Sequence, residues 1–193
     1  MSFKKRLEII SCGPGLSEIN AMYGKSSDWI NGFIGNRSIQ VRKLNAFQYD
    51  YPLISNDNKW EILGSKYSVY DSSQWIQDFK FKILEAIQCN VPILGICFGH
   101  QIILSALGGN VVKNNKGWEI GSSEVMLTNN GLKSKLFRGF KKKIIAYESH
   151  QDTVVDLPEN ISVLAKNKYG IQSFSYGDNI FGVQFHPEFD ENI

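Results

Sequence analysis

Nine consecutive residues constrain this chain more than any other stretch: Ile93-Leu94-Gly95-Ile96-Cys97-Phe98-Gly99-His100-Gln101. Val91 to Ile96 is a short apolar run rich in β-branched residues, as a central parallel strand requires. Cys97 follows at once, with Gly95 two positions before it and Gly99 two after. Ile102, Ile103, Leu104, Ala106 and Leu107 then carry a helical pattern, which Gly108-Gly109 ends. A strand that turns directly into a helix around G-x-C-x-G reads as a nucleophile elbow with cysteine in the serine position. Such a turn strains the backbone and brings strand and helix so close that side chains larger than hydrogen collide. It lifts the sulfur above the sheet edge, at a helix N-terminus whose dipole favours a thiolate.

The rest of the chain supplies the sheet such an elbow needs. Leu7 to Ser11, Ile39 to Leu44 and Trp60 to Leu63 read as strands, and Asp28 to Ile34 as a helix. Gln74 to Gln88 places Trp75, Ile76, Phe79, Ile83, Leu84 and Ile87 on one helical face. This alternation predicts an α/β fold, a central mostly parallel sheet with helices on both faces. The second half has short strand candidates in quick succession: Val111-Val112, Ser123 to Leu127, Lys143 to Tyr147, Ser162 to Ala165, Ile171 to Tyr176 and Ile180 to Phe185. Gly177-Asp178 is a two-residue hairpin signal between the last two. An antiparallel extension of the parallel core is expected, as a small edge sheet. Lys141-Lys142-Lys143 reads as a solvated strand entrance.

With 193 residues, the whole chain, 1–193, is expected to form one domain. The 21 basic and 19 acidic residues leave +2, which argues against nucleic acid as a partner. No apolar run reaches 18 residues, so no membrane span is expected. The start, Met1-Ser2-Phe3-Lys4-Lys5-Arg6, does not read as a secretory signal, because Glu8 breaks the apolar run from Leu7 to Ile10. Three cysteines, Cys12, Cys89 and Cys97, do not make a disulfide framework and fit a reducing, cytoplasmic location. CxxC and HExxH spacings are missing, so no metal site is expected. Cys12 and Cys89 lack the glycine frame and read as small buried hydrophobes.

A base for the cysteine appears 89 residues later, in Gly182-Val183-Gln184-Phe185-His186-Pro187-Glu188-Phe189. An apolar strand ends in His186. Glu188, two positions on, leaves an extended chain on the same side, and Pro187 keeps His186 out of helix. A carboxylate beside an imidazole fixes its tautomer and stabilises the imidazolium.

Gly-Ile-Cys-Phe-Gly-His-Gln followed by Phe-His-Pro-Glu resembles the class I (triad-type) glutamine amidotransferases. Gly64 to Asp71, Gly108-Gly109, Gly117-Trp118-Glu119-Ile120-Gly121, Ser149-His150-Gln151-Asp152-Thr153-Val154 and Leu157-Pro158 resemble the subgroup around the GMP synthase amidotransferase domain. The resemblance runs from Leu7 to Phe189 and implies the flavodoxin-like fold of that family. It implies Cys97 as nucleophile, His186 as general acid and base, and Glu188 as the residue orienting His186. It also implies an oxyanion hole from the backbone N–H groups of Phe98 and the Gly64-Ser65 turn. Gln101 would hold the glutamine backbone, and the main chain of Ser149, His150 and Gln151 would bind its amino and carboxylate ends. Neither metal nor organic cofactor is implied. The expected substrate is L-glutamine or another γ-glutamyl compound. The expected partner is a synthetase on a separate polypeptide, since no synthetase domain is read in this chain.

The pattern departs from the family at two places. Gly64-Ser65-Lys66 stands where Gly-Gly-Pro is common, and the chain stops at Ile193, where family members usually continue. Two further readings remain beside the glutaminase: a stand-alone γ-glutamyl hydrolase or peptidase, and a non-catalytic regulatory module. Trp118 reads as core or lid, and His100 as a packed helix residue.

Overall fold

The computed structural model describes residues 6–34, 39–55 and 57–191. The basic start, Met1 to Lys5, lies outside them. In chain order the elements are β1 (Arg6–Ser11), α1 (Ser17–Tyr23), α2 (Ser26–Ile34), β2 (Gln40–Asn45), β3 (Asn58–Ile62), α3 (Gln74–Gln88), β4 (Ile93–Ile96) and α4 (Phe98–Ala106). They continue as β5 (Asn110–Lys113), β6 (Glu119–Leu127), α5 (Asn129–Lys133), β7 (Lys143–His150), β8 (Asp152–Asp156), β9 (Ile161–Asn167), β10 (Gly170–Tyr176) and β11 (Ile180–Val183). Nine strands form one sheet in the order β2-β1-β3-β4-β11-β10-β9-β6-β7, and β5 pairs with β8 in a second, two-stranded sheet.

The first five strands of the large sheet run parallel, β11 lying beside β4 in register from Ile180↔Ile93 to Val183↔Ile96. The remaining pairings, β11·β10, β10·β9, β9·β6 and β6·β7, are antiparallel. This is the expected α/β fold with its antiparallel extension. The antiparallel strands of the second half continue the main sheet, and β5 with β8 forms the small antiparallel sheet.

Period-two alternation divides the core between the two faces of the sheet. In β1, Ile10 joins a cluster with Trp60, Ile62, Phe79, Ile83, Phe98, Ile102 and Phe174, beneath α3 and α4. Its neighbour Ile9 joins a cluster on the opposite face with Ile30 of α2, Ile96, Val125, Phe137 and Leu164. Helix α3 has the predicted boundaries and buries Trp75, Ile76, Phe79, Ile83 and Ala86. Fully burying a side chain such as Phe79 contributes roughly 1.5–3 kcal/mol, so this stripe anchors the helix.

The antiparallel half curls. β7 is the last strand of the sheet, four pairings away from β11. Yet the Tyr147 carbonyl accepts the His186 N–H at 2.8 Å, just past the end of β11. Strand twist alone turns successive strands, and the register shifts between β9 and β10 at Ile171, Ser173 and Phe174 add to it. The curl brings β7 over the C-terminal ends of β3 and β4.

Three local expectations are corrected. Tyr176 pairs with Ile180, so the hairpin loop is three residues, Gly177-Asp178-Asn179. Its first residue has φ +58°, which glycine adopts without cost. β11 ends at Val183 rather than Phe185, because the chain bends there to cross toward β7. Cys89 is exposed at the C-terminal end of α3 rather than buried.

Candidate active site

Cys97 is the N-cap of α4, with φ +52° and ψ −102°. For a residue with a Cβ this is a strained conformation. The glycines permit it. A Cβ at Gly95 would lie 2.4 Å from the Gly99 backbone, and one at Gly99 would lie 2.1 Å from the Ile62 carbonyl oxygen. Strand and helix therefore touch backbone to backbone on both sides of the cysteine. Phe98 is the first residue of α4, so its N–H has no carbonyl partner within the helix.

Gly64 lies beside the nucleophile after β3. A Cβ there would be 3.1 Å from the His186 ring and 3.6 Å from the Cys97 Cβ. Ser65 donates its hydroxyl to the Cys12 carbonyl at 2.7 Å and accepts the Tyr67 N–H, which braces the turn against β1. The Ser65 side chain thus fixes this loop.

His186 Nδ1 lies 2.8 Å from Glu188 Oε1. The residues are not in extended chain, as the sequence suggested. Pro187 and Glu188 form a turn, with the Phe189 N–H near the His186 carbonyl. Phe189 stacks on the imidazole at 4.1 Å, so the ring is held on one face and at Nδ1. Burial opposes a charge on His186. The facing Cys97 sulfur, by its charge and a hydrogen bond, and then Glu188 nevertheless raise it to about 10. Behind this pair Glu61 is pushed up to about 7, by burial first and then by the Glu188 charge.

The segment from Ser149 to Asp152 meets the other side of Cys97. The Ser149 carbonyl lies 3.9 Å from Cys97 Sγ. Gln101 is buried rather than solvent-facing, and its amide donates to Gln184 at 3.0 Å and to the Asp152 carbonyl at 3.4 Å. The Gln151 carbonyl accepts the Asn114 N–H at 2.7 Å. The His150 side chain is buried among polar partners: Nδ1 faces the Asp152 carbonyl at 3.0 Å, and Nε2 faces Glu119 at 3.1 Å and Glu148 at 3.3 Å. Burial opposes its charge, but the two glutamates raise it to about 10. Burial raises Glu148, whereas hydrogen bonds from His150 and other groups hold Glu119 low despite burial.

Cys97, Phe98, Gly64, Ser65, Gln101, Ser149, His186 and Glu188 thus gather at one end of β3 and β4, whereas the His150 side chain is buried among Glu119 and Glu148 and the Gln151 carbonyl turns to Asn114. Sequence reasoning misses Glu119, Glu148 and Gln184 as site residues. Glu119 sits inside the Gly-Trp-Glu-Ile-Gly motif, but alternation along β6 and β7 says only that a residue faces inward. His100 is buried against Phe174, ring centroids 5.0 Å apart, and burial drives it down to about 3, so it is a neutral packed residue. Trp118, expected in the core or a lid, is 54% exposed.

Comparison with known proteins is consistent with this geometry. The chain is 31% identical over 201 residues to γ-glutamyl peptidase 3 of Arabidopsis thaliana, covering 98% of this chain and 79% of that protein. It is 46% identical over 101 residues to a glutamine-hydrolyzing GMP synthase subunit of Sulfolobus acidocaldarius, covering 51% of this chain and 52% of that one. A crystal structure of a glutamine amidotransferase from Thermotoga maritima shares the fold, with TM-score 0.78 at 23% identity over 95% of this chain and 76% of that one. The family model for glutamine amidotransferase class-I matches residues 41–192, and the chain belongs to that family.

Proposed function

We propose that this protein hydrolyses the side-chain amide of L-glutamine through a γ-glutamyl thioester on Cys97 and supplies the ammonia to a separate synthetase, such as a GMP synthase. The observation that carries the reading is the strained Cys97 facing His186, which Glu188 holds at 2.8 Å. The Cys97 thiolate attacks the amide carbon, and the carbonyl π electrons move to oxygen. The Phe98 N–H and the Gly64-Ser65 turn receive that oxyanion, and one such donor is worth roughly 2.7–4 kcal/mol. The His186 imidazolium gives its proton to the departing nitrogen as the C–N bond breaks, and ammonia leaves. Water, deprotonated by His186, attacks the thioester, and glutamate departs as the C–S bond breaks. Glu188 keeps Nδ1 protonated and the ring in plane. Gln101 and the main chain of Ser149, His150 and Gln151 hold the amino-acid end of the substrate. No step calls for a metal or cofactor.

A second reading has its own support. The matches to γ-glutamyl peptidases 3 and 4 of Arabidopsis thaliana cover 98% and 100% of this chain, whereas that to the S. acidocaldarius GMP synthase subunit covers 51%. The same thioester chemistry cleaves γ-glutamyl peptides, with an amino acid or peptide amine leaving in place of ammonia. Glutamate release from L-glutamine and from a panel of γ-glutamyl dipeptides and glutathione, with Cys97→Ala as control, separates the two. Preference for glutamine supports the amidotransferase and calls for capture of a synthetase. Preference for a γ-glutamyl peptide assigns the hydrolase and removes the need for a partner. Inertness toward both, with Cys97 intact, leaves the regulatory module.

A further inference from the structure

One buried charged cluster lies outside the proposed chemistry. His150, Glu119 and Glu148 expose 4%, 2% and 0% of their side chains. The cluster ties several strands together. Glu119 of β6 stands opposite His150 of β7 in the ladder. Glu119 also accepts from Asn167 at 2.7 Å and from Gln172 of β10 at 3.2 Å. His150 reaches forward to the carbonyl of Asp152, the first residue of β8.

The protonation of His150 follows from its partners. A carbonyl oxygen only accepts, so Nδ1 carries a hydrogen toward Asp152. Glu119 is held low, and an ionised carboxylate only accepts, so Nε2 carries one toward Glu119, with Glu148 at 3.3 Å beside it. The ring is therefore an imidazolium locked at both nitrogens. It cannot hydrogen-bond substrate. Among the described residues, Glu148 has no hydrogen-bonded partner for either oxygen beyond this ion pair, although it is buried. An unsatisfied buried carboxylate costs free energy, so its place here calls for a reason.

The reason lies one residue away. Between the two anchor points, His150 and the Asp152 carbonyl, the chain bends from β7 into β8. That bend holds the Ser149 carbonyl against Cys97 Sγ and offers the Asp152 carbonyl to Gln101. On its outer side the Asp152 carboxylate accepts the hydroxyls of Ser68 at 2.6 Å and Tyr70 at 3.0 Å, which bind the bend to the loop after β3. We propose that the Glu119–His150–Glu148 cluster is a positioning device that sets where the β7–β8 bend stands relative to Cys97. It thereby governs how tightly the γ-glutamyl moiety is held, and it leaves bond making and breaking to Cys97 and His186. The proposal rests on the γ-glutamyl reading of the site and adds three positioning residues to it.

The test is steady-state glutamate release by the wild type, Glu119→Gln and Glu148→Gln on the preferred γ-glutamyl substrate, with iodoacetamide alkylation of Cys97 measured beside it. Either variant is expected to raise KM about tenfold or more while kcat stays within about threefold, since only ground-state holding is lost. The alkylation rate is expected to stay within about twofold of wild type, but protection of Cys97 by substrate should weaken in parallel with KM. Unchanged KM in both folded variants, or a loss confined to kcat, overturns the positioning role while the γ-glutamyl reading stands. A wild type inert toward every γ-glutamyl substrate overturns both. Where a variant fails to fold, the wild type still decides: ring ¹⁵N shifts of His150 at pH 8 should show both nitrogens protonated. A neutral ring, or a stoichiometric divalent metal in the purified protein taking the Nε2 lone pair, overturns the assignment.

Discussion

The two halves of the large sheet build their share of the site in opposite ways. The parallel half presents Cys97 mainly through chain connectivity, a strand, a glycine-framed turn and the first turn of a helix within Ile93 to Ala106, closed by the backbone contact of Gly99 on Ile62 of β3. The antiparallel half presents the Ser149–Asp152 bend through contacts between segments distant in sequence: Glu119 with His150, Gln172 with Glu119, and Asp152 with Ser68 and Tyr70 of the loop after β3. The first is held by close packing of backbone, the second by buried polar pairs. Close packing tolerates no added atom, whereas a polar network tolerates shape but not loss of a partner. Damage to the two halves should therefore read out differently, one in chemistry and folding, the other in substrate holding.

The largest effect should come from the parallel half. Cys97→Ala is expected to abolish glutamate release, a loss of at least about 10³-fold in kcat, with the far-ultraviolet circular dichroism unchanged. Near-normal turnover in that variant would remove the nucleophile from this half. Glu188→Gln tests the link between the halves, because His186 bridges the elbow and the β7 edge. Its kcat should drop about 10²–10⁴-fold at little cost in KM, by analogy with loss of the acid in other triads. A change confined to KM would make Glu188 a packing residue.

Stability separates the halves further. Gly99→Ala drives a Cβ to 2.1 Å from the Ile62 carbonyl, backbone that has nowhere to go, whereas a Cβ at Gly177 in the β10–β11 loop meets open space. Urea denaturation should show a loss of about 3 kcal/mol or more for Gly99→Ala, and about 1 kcal/mol for Gly177→Ala from its positive φ alone. Equal losses would mean that the elbow can open.

The smallest effect is electrostatic. Glu61 on β3 titrates near 7 in the fold against an ordinary 4.5, so the folded protein binds more protons than the unfolded chain between those values. Stability contributed by this group should therefore fall as pH rises from 4.5 to 7 and level off above. Glu61→Gln should flatten that part of the curve of urea midpoint against pH. An unaltered slope would assign it to another group.

What is legible in the sequence follows the same division. Helix α3 is legible to its boundaries, because Trp75, Ile76, Phe79 and Ile83 repeat with the helical period. The elbow is legible because its glycines frame the cysteine within five residues, although what Gly99 packs on, Ile62 of β3, is distant in sequence. Helix α1 is not: Ser17–Tyr23 buries no residue completely, so it leaves no apolar stripe to find. Strand β8 overlaps the Ser149 to Val154 motif but does not read as a strand, since Asp152–Asp156 pairs with β5 in a two-stranded sheet and its polar residues hide the alternation. The His186–Glu188 pair is expected from extended-chain alternation, yet a turn closes it. The expectation reaches the right pair for a reason the fold does not use.

By itself the sequence determined that a cysteine would stand on a strained strand-to-helix turn, and that a histidine with an acid two residues on would follow the last strand. Both depend on residues within a few positions of one another, where chain connectivity does the positioning. Only the tertiary structure decided that β7 curls back to bring Ser149 to Cys97, that Gln101 meets Gln184, and that His150 is locked between Glu119 and Glu148. Those contacts join residues from 2 to more than 80 positions apart. Which of them form depends on how far a nine-stranded sheet twists and shifts register, a property summed over every strand and written in none.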